Sequence, residues 1–218
     1  MKPLRETRLG ELENDSFVAT FLYTEGKFKK FGISNYDAAG IERIVTIAKQ
    51  NSWVLPTFYE GNHSPIALHL ETKVLPTIRK HGMTFHAYSP LAGGFLVRSR
   101  QQLMGADLTG HFDQTIMAGK LYLGMYGKPS LLVALEQWEE IAKEAGVTKA
   151  ALAYRWAAYH SALGSEDALV FGASSLKQME ETLIACEEGP LPTDIVKKVD
   201  EIWELVKDEA PIDNFHRE

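Results

Sequence analysis

An α/β fold built on a parallel sheet is predicted, and three observations predict it. Short apolar runs alternate with amphipathic stretches along the chain, the pattern left by successive strand–helix units. The amphipathic stretches place apolar residues at helical spacing and are bounded by capping residues. No low-complexity tract or linker divides the 218 residues, so one domain spanning 1–218 is expected.

Four runs read as strands: Lys27–Ser34 (KFKKFGIS), Val54–Tyr59 (VLPTFY), Met83–Tyr88 (MTFHAY) and Ala168–Ala173 (ALVFGA). Pro56 weakens the second, because proline has no ladder donor. Between them, Asp37–Lys49 sets Ile41, Ile44, Val45 and Ala48 on one helical face. Leu131–Ala145 repeats the pattern with Leu131, Leu135, Trp138, Ala142 and Ala145, and Gly146 stands where a left-handed C-cap is wanted. Thr148 is placed to cap the next helix, which carries Leu152, Tyr154, Trp156 and Tyr159. Ser175 and Gln178 have capping-box spacing. A last helix, Thr193–Lys207, follows Gly189-Pro190-Leu191-Pro192. Aromatic residues at these spacings belong to a core, given the area they bury.

Composition excludes several classes. The chain is 45% hydrophobic and 24% charged, with a formal net charge of -6, which argues against nucleic acid as a partner. Lys27, Lys29 and Lys30 alternate with Phe28 and Phe31 and read as a strand edge. Cys186 is the single cysteine, so neither an intrachain disulfide nor a cysteine metal site is expected. The opening MKPLRETRLGELEND lacks the apolar run of a secretory signal, and no stretch reaches the ~20 apolar residues of a membrane span. A cytoplasmic protein without a membrane partner is the expectation. The seven histidines show no zinc spacing, and neither GxSxG nor SxxK occurs, so no metal and no serine nucleophile is expected. GxGxxG and the Walker loop are missing as well.

Three segments at strand ends go beyond generic α/β: Phe31-Gly32-Ile33-Ser34-Asn35-Tyr36, His86-Ala87-Tyr88-Ser89-Pro90-Leu91-Ala92-Gly93-Gly94 and Phe171-Gly172-Ala173-Ser174-Ser175-Leu176. Together they resemble the aldo-keto reductase superfamily, nearest its aflatoxin-aldehyde-reductase branch, from about Glu25 to the C-terminus. The resemblance implies the C-terminal half of a (β/α)₈ TIM barrel, strands five to eight with their helices, whose ligand residues sit at the C-terminal ends of strands. It also implies NADP(H) as cofactor and an aldehyde or ketone, a small-molecule carbonyl, as substrate, in a secondary-metabolism setting.

By the same resemblance Ser34 and Asn35 bond the nicotinamide carboxamide, a role compatible with capping the following helix. Tyr88 stacks on the nicotinamide ring. Ser89, Pro90, Leu91, Ala92, Gly93, Gly94, Phe95 and Leu96 wrap the pyrophosphate, the glycines admitting backbone N–H groups. Ser174, Ser175, Lys177 and Gln178 open the helix that takes the adenosine 2′-phosphate, and Thr182 stands where the branch often has Asn. Glu60 occupies the place of a Gln; an ionised carboxylate only accepts hydrogen bonds, where an amide does both. His63 replaces a frequent Tyr, and an expected Gly-Arg-Phe segment reads Gly110-His111-Phe112.

A barrel of ~250 residues places ~125 before strand five, whereas 26 precede Lys27; the N-terminal half is expected to be absent. The family's catalytic Asp, Tyr, Lys and His come from the first four strands, and no segment matches those motifs, so no catalytic residue is carried over. Two functional readings follow: a carbonyl reductase, or a catalytically inactive NADP(H)-binding remnant or partner subunit. The bare strand edges predict a homodimer, or a partner supplying the missing half barrel.

Overall fold

In the computed structural model, residues 4–105, 108 and 110–213 are described, residues 4–13 by their helical path alone. In chain order the elements are α1 (Leu4–Thr24), β1 (Gly32–Ser34), α2 (Ala38–Gln50), β2 (Phe58–Asn62), α3 (His69–Lys73), α4 (Leu75–Lys80), β3 (Thr84–Tyr88), α5 (Arg100–Met104), α6 (Met117–Tyr126), α7 (Pro129–Glu144), α8 (Lys149–Tyr159), β4 (Ala168–Leu169), α9 (Leu176–Glu187) and α10 (Thr193–Val206). Short 3₁₀ turns add Ala92–Gly94 and Gly110–Phe112. The four strands form one sheet in the order β1-β2-β3-β4. β1 and β2 run parallel, with Gly32 opposite Phe58, Ile33 opposite Tyr59 and Ser34 opposite Glu60. The α/β class and the four-strand sheet agree with expectation and with half of a barrel.

The described residues fall into two compact units, one of residues 4–60 and 71–86, the other of residues 61–70 and 87–213. In the first, α2 buries Ile41, Ile44, Val45 and Ala48, the face read from the sequence. Asp37 caps this helix by accepting from the Gly40 amide at 2.6 Å, and it costs roughly 1 kcal/mol to lose such a cap. Phe85 stacks on Tyr59 at 6.2 Å, and His86, on the other strand face, stacks on Phe58 at 4.5 Å; His86 is thus a packed structural residue.

Two predicted strands start too early. Lys27–Phe31 lie outside β1 because Phe28 packs between Tyr23 and Phe31, at 5.7 and 6.5 Å, and not along a ladder. The lysine run is therefore no strand edge. Val54–Thr57 likewise precede β2, which extends instead to Asn62; Pro56 cannot donate to a ladder. β4 stops at Leu169, short of the expected Ala173.

The second unit buries the larger core, in which α7 contributes Leu131, Leu135 and Trp138, α8 contributes Leu152 and Trp156, and α10 contributes Ile195, Val199 and Ile202. Gly146, at φ 68°, ends the α7 region as expected. Thr148 caps α8 by accepting from Ala151 N at 3.0 Å. At the far end of α8, His160 Nε2 accepts from the Leu191 amide at 2.8 Å, which requires that nitrogen to be unprotonated. Desolvation holds the His160 pKa below its ordinary value; Asp200 opposes the shift and Arg155 adds to it.

A folded pKa below the unfolded one means that unfolding takes up a proton. The stability contributed by neutral His160 is present above the ordinary histidine value of about 6.5 and is lost as pH falls through the lower folded value. The urea midpoint should drop between pH 7 and pH 5, and His160→Gln, which keeps an acceptor, should flatten that drop. Identical pH slopes for both proteins would assign the effect to other groups.

Candidate cofactor site

Successive backbone conformations after β3 build the site. Ser89 (φ 58°), Ala92 (φ 51°), Gly93 (φ 65°) and Gly94 (φ 92°) are all left-handed, a region that costs a residue with a Cβ roughly 1 kcal/mol. Glycine removes that cost at two of the four positions. The turn closes through Ala92 N to Ser89 O (2.8 Å) and Leu96 N to Leu91 O (3.3 Å). Ala92, Phe95 and Leu96 are buried, with Phe95 against Phe112 and Tyr126 at 6.2 and 5.5 Å. Those three side chains are thus core residues, and the turn faces a cavity through Ser89, Pro90, Leu91, Gly93 and Gly94. The Gly94 amide already donates to Leu91 O at 3.0 Å.

These residues line a cavity of about 1240 Å³ within the second unit, above the roughly 300–1,000 Å³ common for small-molecule sites. Its wall joins Tyr88 and the left-handed turn to Arg98, Gly110 and His111, to Gly146–Thr148, Ala150, Ala151 and Tyr154, and to Val170–Ser174, Gln178 and Thr182. The wall is part aromatic and part glycine backbone, with the start of α9 at one side.

Ser175 caps α9, its hydroxyl accepting from Gln178 N at 3.2 Å. The reciprocal half of the expected capping box does not form. Gln178 Oε1 instead takes the Ser174 amide (2.9 Å) and the Ser174 hydroxyl (2.8 Å), since Ser174 offers two donors. The Leu176 and Lys177 amides begin the helix without intrahelical acceptors, and the helix dipole favours an anion there. Lys177 itself is exposed, faces Glu181 at 3.7 Å and does not line the cavity. Thr182 does; its hydroxyl donates to Gln178 O at 2.8 Å. Tyr154, whose pKa burial raises, packs edge-on to Phe171 at 5.6 Å.

Ser34, Asn35 and Glu60 belong to the first unit and are not among the lining residues. The Ser34 hydroxyl donates to Glu60 O at 2.7 Å across the β1–β2 pair, and Asn35 is left-handed at φ 62°. Sequence reasoning missed Arg98 as part of the cavity. No local pattern marks it: the Ser99-x-x-Gln102 spacing beside it signals only the start of α5, where those two residues form a full capping box (Ser99 N to Gln102 Oε1 2.8 Å, Gln102 N to Ser99 Oγ 3.1 Å). No group of three or more potential metal ligands occurs among the described residues, and no described helix is long and apolar enough to cross a membrane.

Residues 17–204 match the Aldo/keto reductase family. The chain belongs to that family. It is 38% identical over 206 residues to oxidoreductase sirO of Leptosphaeria maculans, covering 94% of this chain and 62% of that protein. It is 36% identical over 189 residues to an aldo-keto reductase of Pseudocercospora fijiensis, covering 85% and 64%. Aflatoxin B1 aldehyde reductase member 4 of Homo sapiens is 36% identical over 200 residues, covering 87% and 60%. The chain therefore spans about three fifths of the length of the curated relatives it matches.

The glycine turn supports a direct test. A Cβ on Gly93 would lie 2.0 Å from the Tyr122 ring, whereas one on Gly94 meets nothing within 4 Å. Gly94→Ala should cost the left-handed penalty alone, about 1 kcal/mol, and Gly93→Ala more, about 2 kcal/mol. Urea unfolding measures both, and equal losses would place the Tyr122 ring elsewhere.

Proposed function

We propose that this aldo-keto reductase chain binds NADP(H) in the cavity of its second unit and serves the reduction of an aldehyde or ketone to an alcohol. One observation carries the reading: a single cavity is lined by Tyr88, by Ser89, Pro90, Leu91, Gly93 and Gly94 of the left-handed turn, and by Ser174 and Gln178 at the start of α9. Their chemistry suits three parts of a dinucleotide. A tyrosine ring offers a stacking face, closely approachable glycine backbone suits phosphate oxygens, and a helix start suits a further phosphate. When bound, NADPH supplies the hydride. The chain's contribution is to orient the cofactor and keep water from it, the terms that make transfer intramolecular. No cavity side chain is assigned as the acid at the carbonyl oxygen.

The relatives support the substrate class by their names, one of which is an aflatoxin B1 aldehyde reductase. A setting in secondary metabolism rests on the branch likeness, and a cytoplasmic location on the single cysteine, Cys186.

A second reading, a cofactor-binding partner subunit, is favoured by the surface of α9. Leu176, Met179, Leu183 and Ile184 are all exposed there, an apolar stripe of the kind that marks an association site. Sedimentation of the purified chain tests it: the expected species is a dimer or larger, and a monomer across the micromolar range removes this reading.

NADPH titration followed by tyrosine and tryptophan fluorescence tests the main proposal. Saturable binding is expected, and Tyr88→Ala should weaken it roughly tenfold, about 1.4 kcal/mol, by removing the stacking face. A folded chain that gives no saturable response would refute cofactor binding.

A further inference from the structure

Two helix faces on this chain are apolar and turned away from their own units, and charges of opposite sign accompany them. On α1, Ser16 is buried and the Val54 amide donates to Thr20 Oγ1 at 3.0 Å, so that side of the helix meets the first unit. Phe17, Val18, Phe21 and Leu22 stand on the other side and are all exposed, Phe21 to 58%. Their i, i+1, i+4, i+5 spacing makes them one contiguous patch. Just beyond the helix, Lys27, Lys29 and Lys30 are exposed. Over residues 25–30 these three ammonium groups stand against one carboxylate, Glu25.

On α9, Thr182 and Ala185 are buried, while Leu176, Met179, Leu183 and Ile184 are exposed, Leu176 to 86%. Glu180 follows Leu176 by four residues and Glu187 follows Leu183 by four, which puts both carboxylates on that same face. The lysine of this helix, Lys177, is taken up by Glu181 at 3.7 Å, so the face is apolar and acidic. Pairing α9 with α9 of a second copy would oppose these carboxylates to their equals. Pairing α1 with α1 would do the same to the lysines, and like charges opposed across an interface cost affinity. Only α1 against α9 sets apolar surface on apolar surface and ammonium against carboxylate.

We propose that α1 of one copy packs on α9 of a second copy, a head-to-tail contact between identical chains. The proposal rests on the partner-subunit reading and names the partner as the chain itself. Because the two faces differ, the contact is heterologous: each chain keeps a second face for the next one. Assembly then runs into a ring or an open chain and does not stop at a two-fold dimer. The twelve residues of α9 span about 18 Å, so the contact is small and its affinity falls in the micromolar range. Salt weakens it, by screening the lysines from the glutamates.

Sedimentation equilibrium of the full chain and two variants tests the contact. Phe21→Glu spoils the α1 face and Leu183→Glu the α9 face, and each should weaken self-association about tenfold or more. Mixed one to one, the two variants should form a dimer that grows no further, because only the intact α9 of the first and the intact α1 of the second can meet. Self-association of either variant within about twofold of wild type, or a mixture that stays monomeric, overturns the proposal. A wild-type chain that is monomeric across the micromolar range removes the partner-subunit reading and this inference with it; a wild-type oligomer that Phe21→Glu leaves intact overturns the inference alone. Should either variant melt early by circular dichroism, charge reversal on the exposed rims replaces it. Lys27→Glu with Lys29→Glu and Lys30→Glu, or Glu180→Lys with Glu187→Lys, should weaken association about three- to tenfold. One chain carrying both sets restores opposite charges and should recover the association, and no recovery overturns the pairing.

Discussion

The second unit depends on how the chain leaves β3. Ala92 is left-handed and buried at once, which is tolerable only because the surrounding structure fixes the turn from both sides. Behind it, Phe95 and Leu96 are locked in the core, and Phe95 meets aromatic rings from two later segments, Phe112 and Tyr126. The strain of the turn is small beside the area these side chains bury, about 25 cal/mol for each Å² of apolar surface. Everything that lines the cavity on that side, from Ser89 to Arg98, is therefore positioned by hydrophobic packing. A site whose first layer is backbone needs this arrangement, since a wandering turn would misplace every N–H it offers.

The polar groups around that turn follow the same logic of early commitment. Gln178 holds both donors of Ser174, Ser175 holds Gln178 N, and Thr182 returns to Gln178 O. A helix start with its side chains already bonded to one another is rigid before any ligand arrives, which lowers the ordering cost of binding. Lys177, by contrast, stands outside the cavity beside Glu181. Its cation adds little to a ligand there, because exposed ion pairs are weak and screened. In α9 the helix start, and not the nearby lysine, is the feature able to serve a phosphate.

Legibility from sequence followed local determinism. Helices with a cap and a clean apolar face, such as α2 behind Asp37 and α8 behind Thr148, were readable almost to their ends. Strands were less so, because pairing is decided by distant partners. Phe28 and Phe31 alternate like a strand yet pack with Tyr23. α3, α4 and α5 have five or six residues each, too few to reveal a 3.6-residue period, and α1 carries exposed Phe17, Phe21 and Tyr23 among its polar residues, which hides its inner face. In the candidate site Tyr88 and the glycine turn were legible through family motifs, and Arg98 was not: whether that side chain meets a cavity depends on the turn nine residues before it.

The short edges bear on association. Pairing between copies was expected from strands of eight and six residues, but β1 has three and β4 two, so few unpaired backbone groups remain on either edge. What stays uncovered is apolar side-chain surface, on α1 and on α9. Helix faces of this kind are covered by packing against another helix, and backbone hydrogen bonding plays no part. The driving force for a partner is then area removed from water, which is non-directional and tolerant of register. A sheet edge, by contrast, demands strands in register. Any association through these faces would therefore respond to a charge placed on the stripe, such as Leu183→Glu, and hardly at all to proline in β4.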